Sequence, residues 1–420
     1  MGRLSFIRII PILALLIGFV SCSKPKPRQA ILILLDAARP DHFSFSGYER
    51  STTPEMDALA AQGVWFQNCF TQGTHTRSAL PCLIYSRYYA PAVFPYSPFV
   101  PLYNPGELFQ DIDREGISIP RLLEKSGFLT AAISAHDYLK EETRFAQEFM
   151  IFNDLMKDEK NRGKTPYPRA EKVVDHVLQW IKDNQNRDYF LYIHMMDTHF
   201  PHFFEEDAQA FFGEKKYTAH RFIEGGWLNR EDDYNEEDIR YLNALYDGSL
   251  RYTDRQIGRV VKYLKDINRL DSTLIMITAD HGEILLELPG KIGHGGVWSE
   301  WLARIPLIVH CPAKVRPKIR KNLSEMVDIG PTLMELLEVN FPRGKAPDGA
   351  ALIPLTEIES EPSEKKAVMI RGAVRTNRYK CLFNEPDSIL LDEFPPGIND
   401  LSGQLYDLEK DKAEQNDLFR

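Results

Sequence analysis

The stretch Ile31-Leu32-Ile33-Leu34-Leu35-Asp36 decides the fold. An unbroken aliphatic run with no polar alternation predicts a central parallel strand buried on both faces. Asp36 stands at its carboxyl end, the edge of an open α/β sheet where ligands and catalytic groups collect. Taken alone, Asp36 reads equally well as a turn or helix cap. Its weight comes from two other stretches. Leu274-Ile275-Met276-Ile277 is a second buried run, and it ends in Thr278-Ala279-Asp280-His281-Gly282-Glu283. A carboxylate and an imidazole side by side at a strand end offer one metal two donor types, and the glycine lets the backbone turn away at once. The third stretch is Gly73-Thr74-His75-Thr76-Arg77-Ser78-Ala79-Leu80-Pro81-Cys82, whose later part has the apolar content of a buried helix. Thr76 would lie at that helix's N-terminus, where free N–H groups and the positive end of the helix dipole stabilise an alkoxide or an attached phosphoryl group. The expectation is a divalent metal held by Asp36, Asp280 and His281 against Thr76, the nucleophile.

Outward from these stretches, strands and helices alternate, which predicts a doubly wound, mostly parallel α/β sheet flanked by helices. Thr52-Thr53-Pro54-Glu55 opens a helix with a threonine cap, closed at Gly63. Residues 64–66 and 129–134 read as strands, 117–127 and 170–181 as helices, and 94–105 as a surface loop beside a substrate entrance. The strand Tyr189-Phe190-Leu191-Tyr192-Ile193 runs into His194-Met195-Met196-Asp197-Thr198-His199-Phe200-Pro201-His202, which holds three of the chain's 11 histidines. His199 is the favoured catalytic group and His202 a substrate contact, on a loop because Pro201 excludes a helix interior. Residues 203–237 are acidic, aromatic and aperiodic, and read as an insertion or flap over the site. A long helix over 238–270, a strand over 304–309 and a helix over 328–337 follow. Lys291 and His294 sit in a glycine-rich loop placed to meet a bound anion, Lys291 as a substrate contact and His294 as a catalytic group. Short strands at 368–370, 373–375 and 380–383 predict a small antiparallel subdomain over 343–420, after a catalytic domain over 30–342.

At 420 residues and 43% hydrophobic, the chain is long enough for one large core and a smaller appended unit. Its 51 basic and 60 acidic residues leave a net charge of −9, which argues against a general polyanion binder, so no nucleic-acid partner is expected. Residues 9–20 form an apolar run after Arg3 and Arg8, short of the about 20 residues a membrane span needs, and read as an export signal. Phe19-Val20-Ser21-Cys22 resembles a bacterial lipobox, which predicts removal of the leader before Cys22, a lipid anchor at that cysteine, a tether over 23–29 and a periplasmic or cell-surface location. Cys69 with Cys82 is the one sequence-near cysteine pair, and no bridge between them is expected.

With these residues in place the chain resembles the sulfatase branch of the alkaline phosphatase superfamily. The Asp36 strand, Asp280-His281-Gly282-Glu283, Arg304-Ile305-Pro306-Leu307, Asp328-Ile329-Gly330-Pro331-Thr332-Leu333 and Leu405-Tyr406-Asp407-Leu408 look like that family, in order. The resemblance implies an α/β catalytic domain, a smaller C-terminal subdomain, and a metal held by residues matching Asp36, Thr76, Asp280 and His281. True sulfatases carry a cysteine or serine, oxidised to formylglycine, in a Cys-x-Pro-x-Arg type pattern. Here Thr76 takes that place, Ser78 replaces the proline and Leu80 the arginine. The Gly73 to Cys82 stretch, with Ala38-Arg39-Pro40-Asp41-His42-Phe43-Ser44-Phe45-Ser46-Gly47-Tyr48-Glu49-Arg50, is similar to the lipid A phosphoethanolamine transferases. Those enzymes have glutamate where this chain has Asp36 and a half-cystine where it has Gln72.

The resemblance implies two in-line steps through a phosphothreonine at Thr76, with His199 and His294 contacting phosphoryl oxygens or acting as general acid. The mixed carboxylate and imidazole donors favour zinc or manganese, with calcium or magnesium as alternatives. The expected substrate is an anionic ester, such as a lipid or glycan headgroup. Two alternatives stay open: a sulfatase working by an unmodified route, and a non-catalytic binding lipoprotein of the same fold.

Overall fold

The computed structural model describes residues 29–88, 118–158, 165–202, 205–213, 234–288, 291–295, 298–354, 365–370, 373–382, 403–411, 414 and 416–418. The expected leader, residues 23–28 of the expected tether and the 94–105 loop lie outside them, while Gln29, the last tether residue, begins the first strand. Among the described residues no helix is long and apolar enough to cross a membrane.

In chain order the strands of the main sheet are β1 (Gln29–Leu35), β2 (Val64–Phe70), β3 (Leu129–Ser134), β4 (Ile151–Asp154), β5 (Tyr189–Met195) and β6 (Thr273–Thr278). After the short hairpin β7 (Ile284–Leu285) and β8 (Ile292–Gly293) come β9 (Arg304–Ile305), β10 (Leu307–His310) and β11 (Lys318–Glu325). The sheet is nine-stranded in the order β11-β2-β10-β6-β1-β5-β3-β4, with β9 beside β2. β1 pairs in parallel with β5 on one side and β6 on the other, and every residue of β1 is buried. That is the environment an unbroken aliphatic run requires.

The sequence reading of one strand over 304–309 is corrected. Pro306 has no N–H to give a ladder, and the segment divides into β9 and β10, which both run antiparallel to their neighbours. The Pro306 carbonyl instead accepts from Thr278 Oγ1 at 2.9 Å.

The helices that matter for the site are α1 (Pro54–Gln62), α2 (Thr76–Tyr85), α3 (Ile119–Lys125), α4 (Ala170–Asn184), α5 (Glu205–Phe212), α6 (Glu236–Asp266) and α7 (Ile329–Leu336). Helix α5 lies in the segment expected to be aperiodic. Ala208, Phe211 and Phe212 share one of its faces and pack against Tyr241, Leu242 and Leu245 of α6. Helix α6 starts in a capping box of Asn235 and Asp238 and ends at Asp266, four residues before the expected stop.

Two buried carboxylates of α6 fix the segments that follow β1. Asp247 accepts from His42 Nδ1 (2.7 Å), Tyr48 Oη (2.8 Å) and Arg50 Nη1 (2.6 Å). Asp254 accepts from the backbone N–H groups of Glu55 and Met56 at 3.0 and 2.9 Å, so it caps α1. The threonine cap read from sequence is thus replaced by a partner 199 residues away, while Thr53 Oγ1 bonds Asp57. Asp254→Ala is expected to destabilise the protein by about 1–3 kcal/mol, because two helix N–H groups lose their acceptor. Chemical denaturation of the variant against wild type measures it.

The C-terminal unit is an antiparallel sheet of β12 (Ala367–Ile370), β13 (Ala373–Thr376), β14 (Tyr379–Leu382) and β15 (Gln404–Asp407) in sequential order. β15 falls in a stretch read only as polar; it qualifies because Tyr406 and Asp407 are buried while β14 supplies the ladder. Val368, Ile370, Ala373, Leu382 and Tyr406 pack on Phe70 and Leu323, tying this sheet to the ends of β2 and β11.

Candidate active site

Four strands of the main sheet deliver their carboxyl ends to one place. β1 delivers Asp36, β3 delivers His136, β5 delivers His194 and the loop to His202, and β6 delivers Asp280 and His281. In the β1–β5 and β3–β5 registers His194 lies opposite both Leu34 and Ser134. Asp36, Asp280 and His281 are each fully buried, and Thr76 is 4% exposed. Thr76 is the first residue of α2, whose N-cap is His75, with His75 Nδ1 accepting from the Ser78 N–H at 3.3 Å.

Thr76 Oγ1 lies 3.3 Å from His281 Nε2 and 3.5 Å from Asp36 Oδ2. His281 Nδ1 donates to the Gly282 carbonyl at 2.8 Å, so its Nε2 carries the lone pair and faces the hydroxyl. Asp280 Oδ1 accepts from the backbone N–H groups of Ala37 (3.2 Å) and His281 (3.0 Å). Ala37 reaches it by adopting φ +59°, a left-handed conformation that costs a non-glycine residue on the order of 1 kcal/mol. Gly282 is required for a different reason than the expected turn. An added Cβ would stand 1.9 Å from the Trp301 carbonyl oxygen, so the backbone of the next element fills its side-chain space.

Two carboxylate oxygens in this pocket, Asp36 Oδ1 and Asp280 Oδ2, are buried without a hydrogen-bond partner. Leaving such atoms bare is costly. Together with His281 Nε2 they place ligand atoms from Asp36, Asp280 and His281 within 4.8 Å of one another. Two carboxylates and a neutral imidazole nitrogen fit a divalent metal, and Thr76 Oγ1 adjoins them. Burial, with Asp280 alongside, pushes the Asp36 carboxyl up to about 7. Against the same burial, His281 and His194 hold Asp280 below its usual value. In the metal-free protein a proton therefore competes for Asp36 below about pH 7, and metal uptake must expel it. Zinc affinity is expected to fall about tenfold per pH unit below neutrality and to level off above it. Competition titrations with a chromogenic chelator across this range test the sign.

His199, His294 and His281 form a row, with ring centroids 4.7 Å apart for His199 and His294 and 4.2 Å for His281 and His294. His294 Nδ1 donates to Glu283 Oε1 at 2.9 Å, and His199 Nδ1 donates to the Phe200 carbonyl. Each therefore keeps Nε2 as an acceptor. Burial lowers the pKa of both, that of His294 to about 4, so at neutral pH they stand ready to take a proton rather than give one. Glu283 is fully buried and also accepts from the Phe200 N–H at 2.8 Å, which joins the β5 loop to the His294 loop. Lys291 donates to the Gly295 carbonyl at 3.1 Å, and its charge is felt at His294.

His202 is not brought to this group. It is fully buried edge-on to Tyr246 at 5.3 Å, and neither ring nitrogen has a hydrogen-bond partner among the described residues. Sequence reasoning passed over His136 and put its weight on His199 rather than His194; both of the passed-over rings touch Asp36. The signal was available, since His136 follows β3 at the same sheet edge as Asp36, His194 and Asp280. Cys69 and Cys82 are not joined by a disulfide, and Gln72 bonds Glu325 and the Met369 carbonyl, tying the Thr76 segment to β12.

A family model described as Sulfatase matches residues 28–339. The chain belongs to the sulfatase family. Enzymes of the sulfatase and alkaline phosphatase superfamily are metal-dependent hydrolases and transferases, and the pocket described above fits that chemistry. Among curated relatives of this sulfatase-family chain, the multifunctional alkaline phosphatase superfamily protein PehA of Trinickia caryophylli is 37% identical over 134 residues, 31% of this chain and 25% of that protein. The phosphatidylethanolamine transferase Mcr-1 of Escherichia coli is 26% identical over 277 residues, 64% of this chain and 50% of that protein. The match thus spans between a quarter and half the length of these two relatives. A solved structure of a protein in complex with its substrate D-glucosamine-2-N,6-O-disulfate shares the fold, with a TM-score of 0.68, 18% identity and 94% of each chain covered.

Proposed function

We propose that this chain is a metal-dependent phosphoester hydrolase or phospho-group transferase working through a phosphothreonine at Thr76. The observation that carries the reading is the Thr76 hydroxyl at the first residue of α2, within 3.5 Å of both His281 Nε2 and Asp36 Oδ2. Asp36, Asp280, His281 and Thr76 would hold a divalent metal, which would supply Lewis acidity and lower the hydroxyl's pKa. The hydroxyl proton passes to the Asp36 carboxylate, whose Oδ2 lies 3.5 Å from Thr76 Oγ1. Thr76 Oγ1 then bonds phosphorus in line as the bond to the leaving oxygen breaks, that oxygen taking up a proton from solvent to leave as the alcohol, and the N-terminus of α2 faces the added negative charge. His199 and His294 accept the proton of the water or alcohol that attacks the phosphothreonine in the second step. Threonine supports this route and not formylglycine chemistry, because oxidation at its methyl-bearing Cβ gives a ketone instead of an aldehyde.

The carboxylate and imidazole donors favour zinc or manganese. The apolar leader and Cys22 support a lipid-anchored enzyme on the periplasmic or cell-surface side, where lipid and glycan headgroups are the anionic esters at hand. The test is turnover of aryl phosphodiester, phosphomonoester and sulfate ester by purified protein with zinc, manganese, calcium or magnesium added. Phosphoester turnover is expected; turnover of the sulfate ester alone would overturn the reading.

A further inference from the structure

Asp36 offers two oxygens, and the structure treats them differently. Oδ1 has no hydrogen-bond partner. Oδ2 lies 2.9 Å from His194 Nε2, 3.4 Å from His136 Nε2 and 3.5 Å from Thr76 Oγ1. The tautomers of both rings are fixed from behind. The backbone N–H of Tyr138 donates to His136 Nδ1 at 2.8 Å, and since a backbone N–H can only donate, the ring proton of neutral His136 sits on Nε2. His194 Nδ1 lies 2.8 Å from the Tyr192 hydroxyl, and its Nε2 faces a carboxylate oxygen, which can only accept. The hydroxyl therefore donates to Nδ1, and Nε2 carries the proton.

Asp36, His136 and His194 also bring ligand atoms close enough to share an ion. The tautomers decide against that use. A metal there would need the lone pair of His136 Nε2, which would turn a ring N–H against the Tyr138 N–H.

We propose that His136 and His194 are positioning residues that hold Asp36 Oδ2, His194 through a 2.9 Å N–H bond and His136 through a 3.4 Å contact, so that Asp36 gives the metal only Oδ1, and that Tyr192 sets the tautomer of His194. This rests on the proposed metal site. Such partners of a metal ligand typically change affinity 10- to 100-fold when removed. They also fit the choice of aspartate at this position: the short side chain ends where rings from β3 and β5 can reach its outer oxygen.

The test is metal binding by purified protein, read by zinc competition titration and by the visible spectrum of the cobalt-substituted form. His194→Leu is expected to weaken zinc binding about 10- to 100-fold and alter the cobalt spectrum, while His194→Gln, which keeps an N–H donor, stays within about threefold of wild type. Should the leucine variant not fold, Tyr192→Phe removes one hydroxyl while keeping the ring, and is expected to weaken binding by about threefold or more. Unchanged affinity and spectrum in the folded variants would overturn the inference, and so would the loss of one whole ion per chain, which would make these histidines ligands. If wild type itself binds no metal, the metal reading of the active site falls, and this inference with it.

Discussion

Thr76→Ala is expected to lower phosphoester turnover by on the order of 10,000-fold, with the residual rate coming from metal and binding groups alone. The substitution removes one hydroxyl at a helix N-terminus and leaves Asp36, Asp280 and His281 in place, so the protein should fold and bind metal with modestly reduced affinity. Thr76→Ser keeps the hydroxyl and should retain turnover within about tenfold of wild type. Steady-state kinetics on the phosphoester, with bound metal measured in the same samples, separates loss of the nucleophile from loss of the site. A phosphorylated Thr76 peptide from acid-quenched wild-type protein would report the intermediate directly. Alanine-variant turnover equal to wild type would remove the nucleophile from the mechanism.

Asp280→Asn should be nearly as damaging through a different loss. The amide oxygen of asparagine can still accept from the Ala37 and His281 N–H groups, so the loop keeps its shape. The other carboxylate oxygen, now bare and buried, becomes an NH2 group with no lone pair for a metal. Metal affinity is expected to fall by on the order of 100-fold or more, and turnover with it, while thermal stability of the metal-free protein changes little. Metal analysis after dialysis and a melting curve without added metal check both halves. Treatment of wild type with a chelator should mimic the variant, and added zinc or manganese should rescue wild type alone.

Much of the fold was legible because its core strands are unambiguous. Leu274 to Ile277 and Tyr189 to Ile193 are apolar without alternation, and such runs belong only in the middle of a covered sheet. The Asp36, Asp280 and His281 positions were legible for a related reason: a strand's carboxyl end is marked in sequence by the last apolar residue, and chemistry placed there converges. The features that were missed depend on contacts between distant segments. Nothing near Thr52 to Glu55 announces that Asp254 caps α1, and the periodicity of 304–309 did not show that Pro306 would divide it into two reversed strands.

The histidines show the same division most clearly. Local pattern and order along the chain were enough to reveal a sulfatase-family sheet and the carboxylates, imidazole and threonine gathered at its carboxyl edge. Only the tertiary structure decided which imidazoles meet Asp36, which way their protons face, and that His202 is turned into the core beside Tyr246. The contact that matters most, the 2.9 Å bond from His194 to Asp36, joins residues 158 positions apart, and it appears only once strand order and register bring the ends of β1, β3, β5 and β6 together.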